Sequence, residues 1–150
     1  MVSNQERMEA RRASFGDRAV DGLFGGLWAG AAMGLYLILV GMFSGESISA
    51  VLSRFAFEPG AAPLTGLLSH LAVAALYGIL FGLVSRLLVQ IPLNRWFLGL
   101  VYGAVLLLIS QFMLMPGVDL PLRAFPLVHW ALAHLIYGWV LSMAVFTVRK

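Results

Sequence analysis

Four long apolar runs separated by short polar breaks dominate the chain, at about Val20 to Phe43, Leu64 to Gln90, Trp96 to Met115 and Phe125 to Val148. Each supplies the roughly 20 apolar residues that a helix needs to cross a hydrocarbon core about 30 Å thick. The runs are continuous rather than alternating, which points to helices and not to barrel strands. A spanning helix also satisfies its own amides where hydrocarbon offers no partner. The expectation is an all-α integral membrane protein, a single four-helix bundle over residues 19–150, with residues 1–18 a polar, mobile cytoplasmic segment.

The breaks are legible too. Only IPLNR separates the second run from the third, so Pro92 ends a helix and the short turn makes the pair an antiparallel hairpin. Met115-Pro116-Gly117 stops the third helix. In the outer loop, Ile48, Val51, Leu52 and Phe55 follow helical spacing behind a capping Ser47, which predicts a short amphipathic helix. It lies in the outer interface, packs on the bundle as a lid, or presents a surface to a partner.

Charge sets the orientation. Arg7, Arg11, Arg12 and Arg18 precede the first span, Arg86 and Arg95 flank the short turn, and Arg149 and Lys150 close the chain. Only Arg54 and Arg123 fall on the other side, so both termini are expected in the cytoplasm, in a bacterial inner membrane. The first span lacks a small-residue cleavage site after a short apolar region and reads as an uncleaved anchor. Arg11-Arg12 matches a twin-arginine signal only loosely, because Phe15 falls one position late.

Composition agrees: 61% hydrophobic and 11% charged residues, with a mean hydropathy of +0.90, leave too little polar surface to coat a soluble globule. A pI near 9.8 reflects basic helix ends rather than a nucleic-acid interface. The absence of Cys excludes disulfides, thiolate metal sites and cysteine nucleophiles.

Small residues recur every fourth position. Gly22, Gly26, Gly30 and Gly34 do so in the first span, Gly66, His70, Ala74, Gly78 and Gly82 in the second, and His134, Gly138 and Ser142 in the fourth. Such ridges let helix backbones approach closely where no hydrophobic drive operates between helices. They serve packing within the bundle, packing against another copy or a larger membrane complex, or admission of a flat cofactor or lipid. GLWAGA at Gly26 matches GLVYGA at Gly99, and LLSHL around His70 matches ALAHL around His134, which suggests a tandem duplication of one helical hairpin.

No Asp, Glu, Lys or Arg lies deep in a span, which disfavours an ion-coupled transporter or a small-solute channel. His70, His129, His134 and Gln111 gather instead in the outer half, where intramembrane polar groups invite a functional reading. His70 and His134, at similar depth on different helices, suit the two axial positions of a haem b, and imidazole with nearby Met113 and Met115 suits copper. A quinone or lipid pocket is a further reading, and the plainest is interhelical hydrogen bonding. His129 and His134 diverge by about 140° around their helix and do not share a ligand. Tyr77, Tyr102 and Tyr137 each precede a Gly, placing a hydroxyl beside a close helix crossing. No GxSxG, HExxH or phosphate loop occurs, and no buried acid completes a triad, so no catalytic residue is expected.

The segments LLSHLAVAALYG, QFMLMP and AHLIYGWVL resemble the small bacterial inner-membrane proteins of the uncharacterised YagU-like kind, over residues 64–148. The resemblance implies a four-helix bacterial membrane protein and carries over no catalytic residue. The shorter first loop and the glycine ridge of the first span depart from it. The function expected from the residues is a non-enzymatic structural or accessory subunit, without cofactor or metal, that docks onto itself or a larger membrane complex through glycine-ridged faces or the outer helix.

Overall fold

The computed structural model describes residues 14–88, 90, 92–114 and 125–147. These form α1 (Phe15–Phe43), α2 (Ile48–Arg54), α3 (Pro63–Leu88), α4 (Arg95–Ile109), a π-helical turn (Ser110–Leu114) and α5 (Leu127–Thr147), with no strand among the described residues. Four helical stretches, Phe15–Phe43, Pro63–Ser85, Arg95–Phe112 and Leu127–Thr147, are long and apolar enough to span a membrane. The chain is thus an all-helical, multi-pass membrane bundle by length and composition. Arg7, Arg11, Arg12, Arg123, Arg149, Lys150 and the Met115-Pro116-Gly117 stop lie outside the described residues, as do the side chains of Arg86 and Met113.

Local chemistry fixes the helix ends. α1 starts at Phe15, five residues before the apolar run, because Ser14 and Asp17 form a reciprocal capping box. The Ser14 hydroxyl accepts the Asp17 amide at 3.1 Å and the Asp17 carboxylate accepts the Ser14 amide at 2.8 Å. The last residues of the expected 1–18 segment therefore belong to the first helix. Ser47 caps α2 by accepting the Ala50 amide at 3.2 Å, and Pro63 occupies the first position of α3, where a missing N–H costs nothing. α4 gives way at Ser110 to the π turn, so the third span is not α-helical up to Met115.

The tightest pairings are α1 with α3, α4 with α5, and α1 with α5. α3 and α4 meet through side chains rather than through close backbones. The core between the helices holds Ala29, Leu37, Phe81, Ala133, Tyr137, Leu141 and Val145. α2 is a lid on one end of the bundle: Val51 is fully buried against Gly41, the Leu52 carbonyl rests on Gly66, and Phe55 and Ala56 are buried. Gly45 and Gly60, with φ of 84° and 76°, reverse the chain on either side of the lid segment.

Candidate functional site

Each small-residue ridge has an occupant inside the chain. A Cβ on Gly22 would strike the Gly78 carbonyl, and one on Gly26 would lie 2.5 Å from the Ala74 carbonyl oxygen. One on Gly30 would lie 2.5 Å from the Ala74 Cβ, so these three glycines hold α1 against α3. Gly78 and Gly82 answer them from α3, against Gly26 and the Arg18 carbonyl. Gly34 and Gly66 depart from the ridge pattern. Gly34 faces His70 and Phe55, while Gly66 makes room for the lid rather than for α1. Gly138 packs on Gly99 and Gly103 of α4, and Gly25 admits Leu141 and Val145 of α5. Spacing by four identifies the first ridge; it misses Gly25 and Gly41, which answer neighbouring side chains, those of α5 for Gly25 and Val51 for Gly41.

The polar groups expected together in one half of the bundle do not converge on one point. His70 donates from Nε2 to the Gly30 carbonyl at 2.9 Å, across the α1–α3 crossing, and its ring stacks on Phe55 of the lid segment at 4.6 Å. His134, 7% exposed, donates from Nδ1 to the Trp130 carbonyl of its own helix at 2.9 Å and meets the Trp130 ring edge-on. His129 shares a 2.8 Å hydrogen bond with the Tyr36 hydroxyl, which ties α5 to α1. Gln111 is engaged as well. Trp130 donates from its indole to Ser110 at 3.2 Å, bringing the start of the π turn onto α5.

Two tyrosines beside glycines cross helix boundaries. Tyr137 donates to the Ala74 carbonyl at 2.6 Å and Tyr102 to the Tyr77 carbonyl at 2.7 Å. Both acceptors lie on α3, so α4 and α5 are each anchored to its backbone midway along the span. At the other end of the bundle Arg18 donates to Ser85 at 3.2 Å, while the Arg95 guanidinium lies over Phe146, 5.6 Å from the ring centroid. At the lid Arg54 joins Glu46 at 2.7 Å and stands over Phe125 at 5.5 Å.

This arrangement constrains the cofactor readings. The His70 nitrogen that would face an axial metal carries the proton bonded to Gly30, and Phe55 covers one face of the ring. His134 is held in the tautomer that leaves Nε2 as the unprotonated nitrogen. The two imidazoles therefore do not fit as a matched axial pair in these rotamers. Among the described residues no three His, Asp or Glu side chains group as metal ligands.

No protein-family model matches this chain, and no curated protein or solved structure matches it either.

Proposed function

We propose that this chain is a non-enzymatic structural or accessory subunit of a membrane assembly, resident in a bacterial inner membrane with both termini in the cytoplasm. The observation that carries the reading is the use made of the intramembrane polar groups. His70, His134, Tyr102, Tyr137 and Ser142 all donate to backbone carbonyls of the same chain, and His129 bonds Tyr36. In hydrocarbon those that cross between helices, from His70, Tyr102 and Tyr137 and between His129 and Tyr36, stabilise helix contacts by about 0.6 to 2 kcal/mol each. Side chains committed in this way support a packing role better than haem b or copper binding by His70 and His134, or a small-solute path. The kinship with YagU-like proteins belongs to this proposal and rests on the three segments quoted above.

Docking is assigned to the lid. The ridges are filled by the chain's own helices, whereas Ile48 of α2 and Phe57 just beyond it stay exposed on the outer side. Native gels of the protein extracted from its membranes in mild detergent test this. The wild type is expected above the monomer position and Ile48→Asp/Phe57→Asp at it; a monomeric wild type, or an assembly indifferent to the double variant, overturns the reading.

The same proposal includes a tandem origin for the two hairpins, α1 with α3 and α4 with α5. It is supported by contacts that coincide when α1 is aligned on α4 through Gly26 and Gly99, and α3 on α5 through His70 and His134. Gly26 meets Ala74 and Gly78; its counterpart Gly99 meets their counterparts Gly138 and Ser142. Gly30 meets His70 and Ala74; Gly103 meets His134 and Gly138.

A further inference from the structure

Resting on that two-hairpin reading, we infer that the seam between α3 and α4 is a lateral opening of the bundle, and that the hairpins part there while remaining joined along α1 and α5. Two equivalent hairpins side by side share two equivalent seams, α1 with α5 and α4 with α3. In this chain the two seams keep one register and carry side chains of different size.

On the first seam Gly25 of α1 faces α5, with Ala29 one turn further along α1. A Cβ on Gly25 would lie 3.2 Å from both Leu141 and Val145, and Ala29 is fully buried. Their counterparts on α4 are Leu98 and Tyr102, and the counterparts of Leu141 and Val145 on α3 are Tyr77 and Phe81. On the second seam Tyr102 bonds the Tyr77 carbonyl, and its ring lies 4.9 Å from that of Phe81. Glycine against branched aliphatics lets α5 side chains rest on the α1 backbone. Tyrosine against phenylalanine holds α3 and α4 apart and bridges them by rings and a hydroxyl.

The two seams consequently resist separation differently. Parting α1 from α5 breaks a close contact in which α5 side chains rest on the α1 backbone, whereas opening the hairpins at α3 and α4 breaks the Tyr102 bond, the Tyr137 bond from α5 to the Ala74 carbonyl, and the contacts of the Phe81 ring with Tyr102 and Phe146. Leu80, Val84, Val101 and Val105, all exposed, lie on the helices that border the second seam. What enters an opening between them is hydrocarbon, an acyl chain of the surrounding lipid, since the exposed side chains that flank it are apolar.

The chain has no native cysteine, so paired cysteines report each seam cleanly. Leu80→Cys/Val101→Cys marks the α3–α4 seam, and the counterpart positions Ala144→Cys/Trp28→Cys mark the α1–α5 seam. Nitroxide labels on the full chain, kept monomeric in lipid nanodiscs, are expected to give one narrow distance for the second pair. The first pair is expected to give a broader distribution with a longer component, further populated by Tyr102→Phe. Equally narrow distributions that ignore Tyr102→Phe overturn the inference. Thiol cross-linkers of graded length in native membranes give a second reading. The α3–α4 pair should react with short and long reagents and the α1–α5 pair with short ones alone; short-only reaction at both seams overturns the opening. Neither readout depends on assembly, so failure here leaves the accessory-subunit reading standing, and failure of that reading on native gels leaves the seam untouched.

Discussion

His70 Nε2 lies 2.9 Å from the Gly30 carbonyl oxygen, so a side chain of α3 is bonded to the backbone of α1 at a crossing where a Cβ on Gly30 would meet Ala74. The bond exists because the helices are close: the glycine that admits Ala74 also leaves its own carbonyl within reach of the imidazole.

Loss of that bond has a measurable cost. His70→Ala is expected to lower stability by about 1 to 2 kcal/mol, with partial recovery in His70→Gln, whose amide can donate to the same carbonyl. Reversible unfolding in mixed micelles checks it. Stability of the alanine variant equal to wild type would show that the bond contributes nothing.

The glycines of the two hairpins should behave as counterparts. Gly26→Val and Gly99→Val place a side chain into backbone already in contact, and each is expected to destabilise by about 2 kcal/mol or more. Gly16→Ala meets only the Ser14 hydroxyl, at 3.5 Å, and is expected to change little. Thermal melts of the three variants side by side decide this, and a tolerated Gly99→Val alongside a damaging Gly26→Val would break the equivalence.

Tyr36 and His129 couple α1 to α5. A double-mutant cycle over Tyr36→Phe and His129→Phe is expected to give a coupling of about 1 kcal/mol. Additive effects would mean that each group is satisfied elsewhere.

The lid's ion pair should matter less. Arg54→Ala removes the 2.7 Å contact to Glu46 and the stacking over Phe125, on a side chain 27% exposed. The expected loss is below about 1 kcal/mol, because a partly exposed pair is screened by solvent. Proteolysis of the segment between Gly45 and Gly60 should quicken, and an unchanged cleavage rate would show that the buried Val51 and Phe55 hold the lid unaided.

The commitment of His70 to Gly30 also bears on colour. A reduced-minus-oxidised visible spectrum of protein purified from its native membranes is expected to be flat. Soret and α bands abolished by both His70→Ala and His134→Ala would instead require His70 to release Gly30 and bind a haem.

Much of this architecture is written along the chain. Span number, the capped lid helix and the existence of close-packing ridges depend on local composition and short-range spacing, which a sequence displays directly. The start of α1 was legible as well, in the Ser14 and Asp17 pair, but hydropathy alone places it at Val20 because the capping turn is polar.

Tertiary structure decided which surfaces meet. Gly34 and Gly66 stand in phase with the ridges, yet one lies against His70 and Phe55 and the other beneath the lid, because helix crossing and the return of the outer loop set what lies opposite each notch. His70, His129 and His134 are expected in one half of the bundle but do not form one site: rotation about each helix axis sends one to Gly30, one to Tyr36 and one to its own Trp130 carbonyl. Depth follows from counting residues at a fixed rise, whereas a partner depends on azimuth and on the rotamers neighbouring helices permit, and these exist only once the bundle is packed.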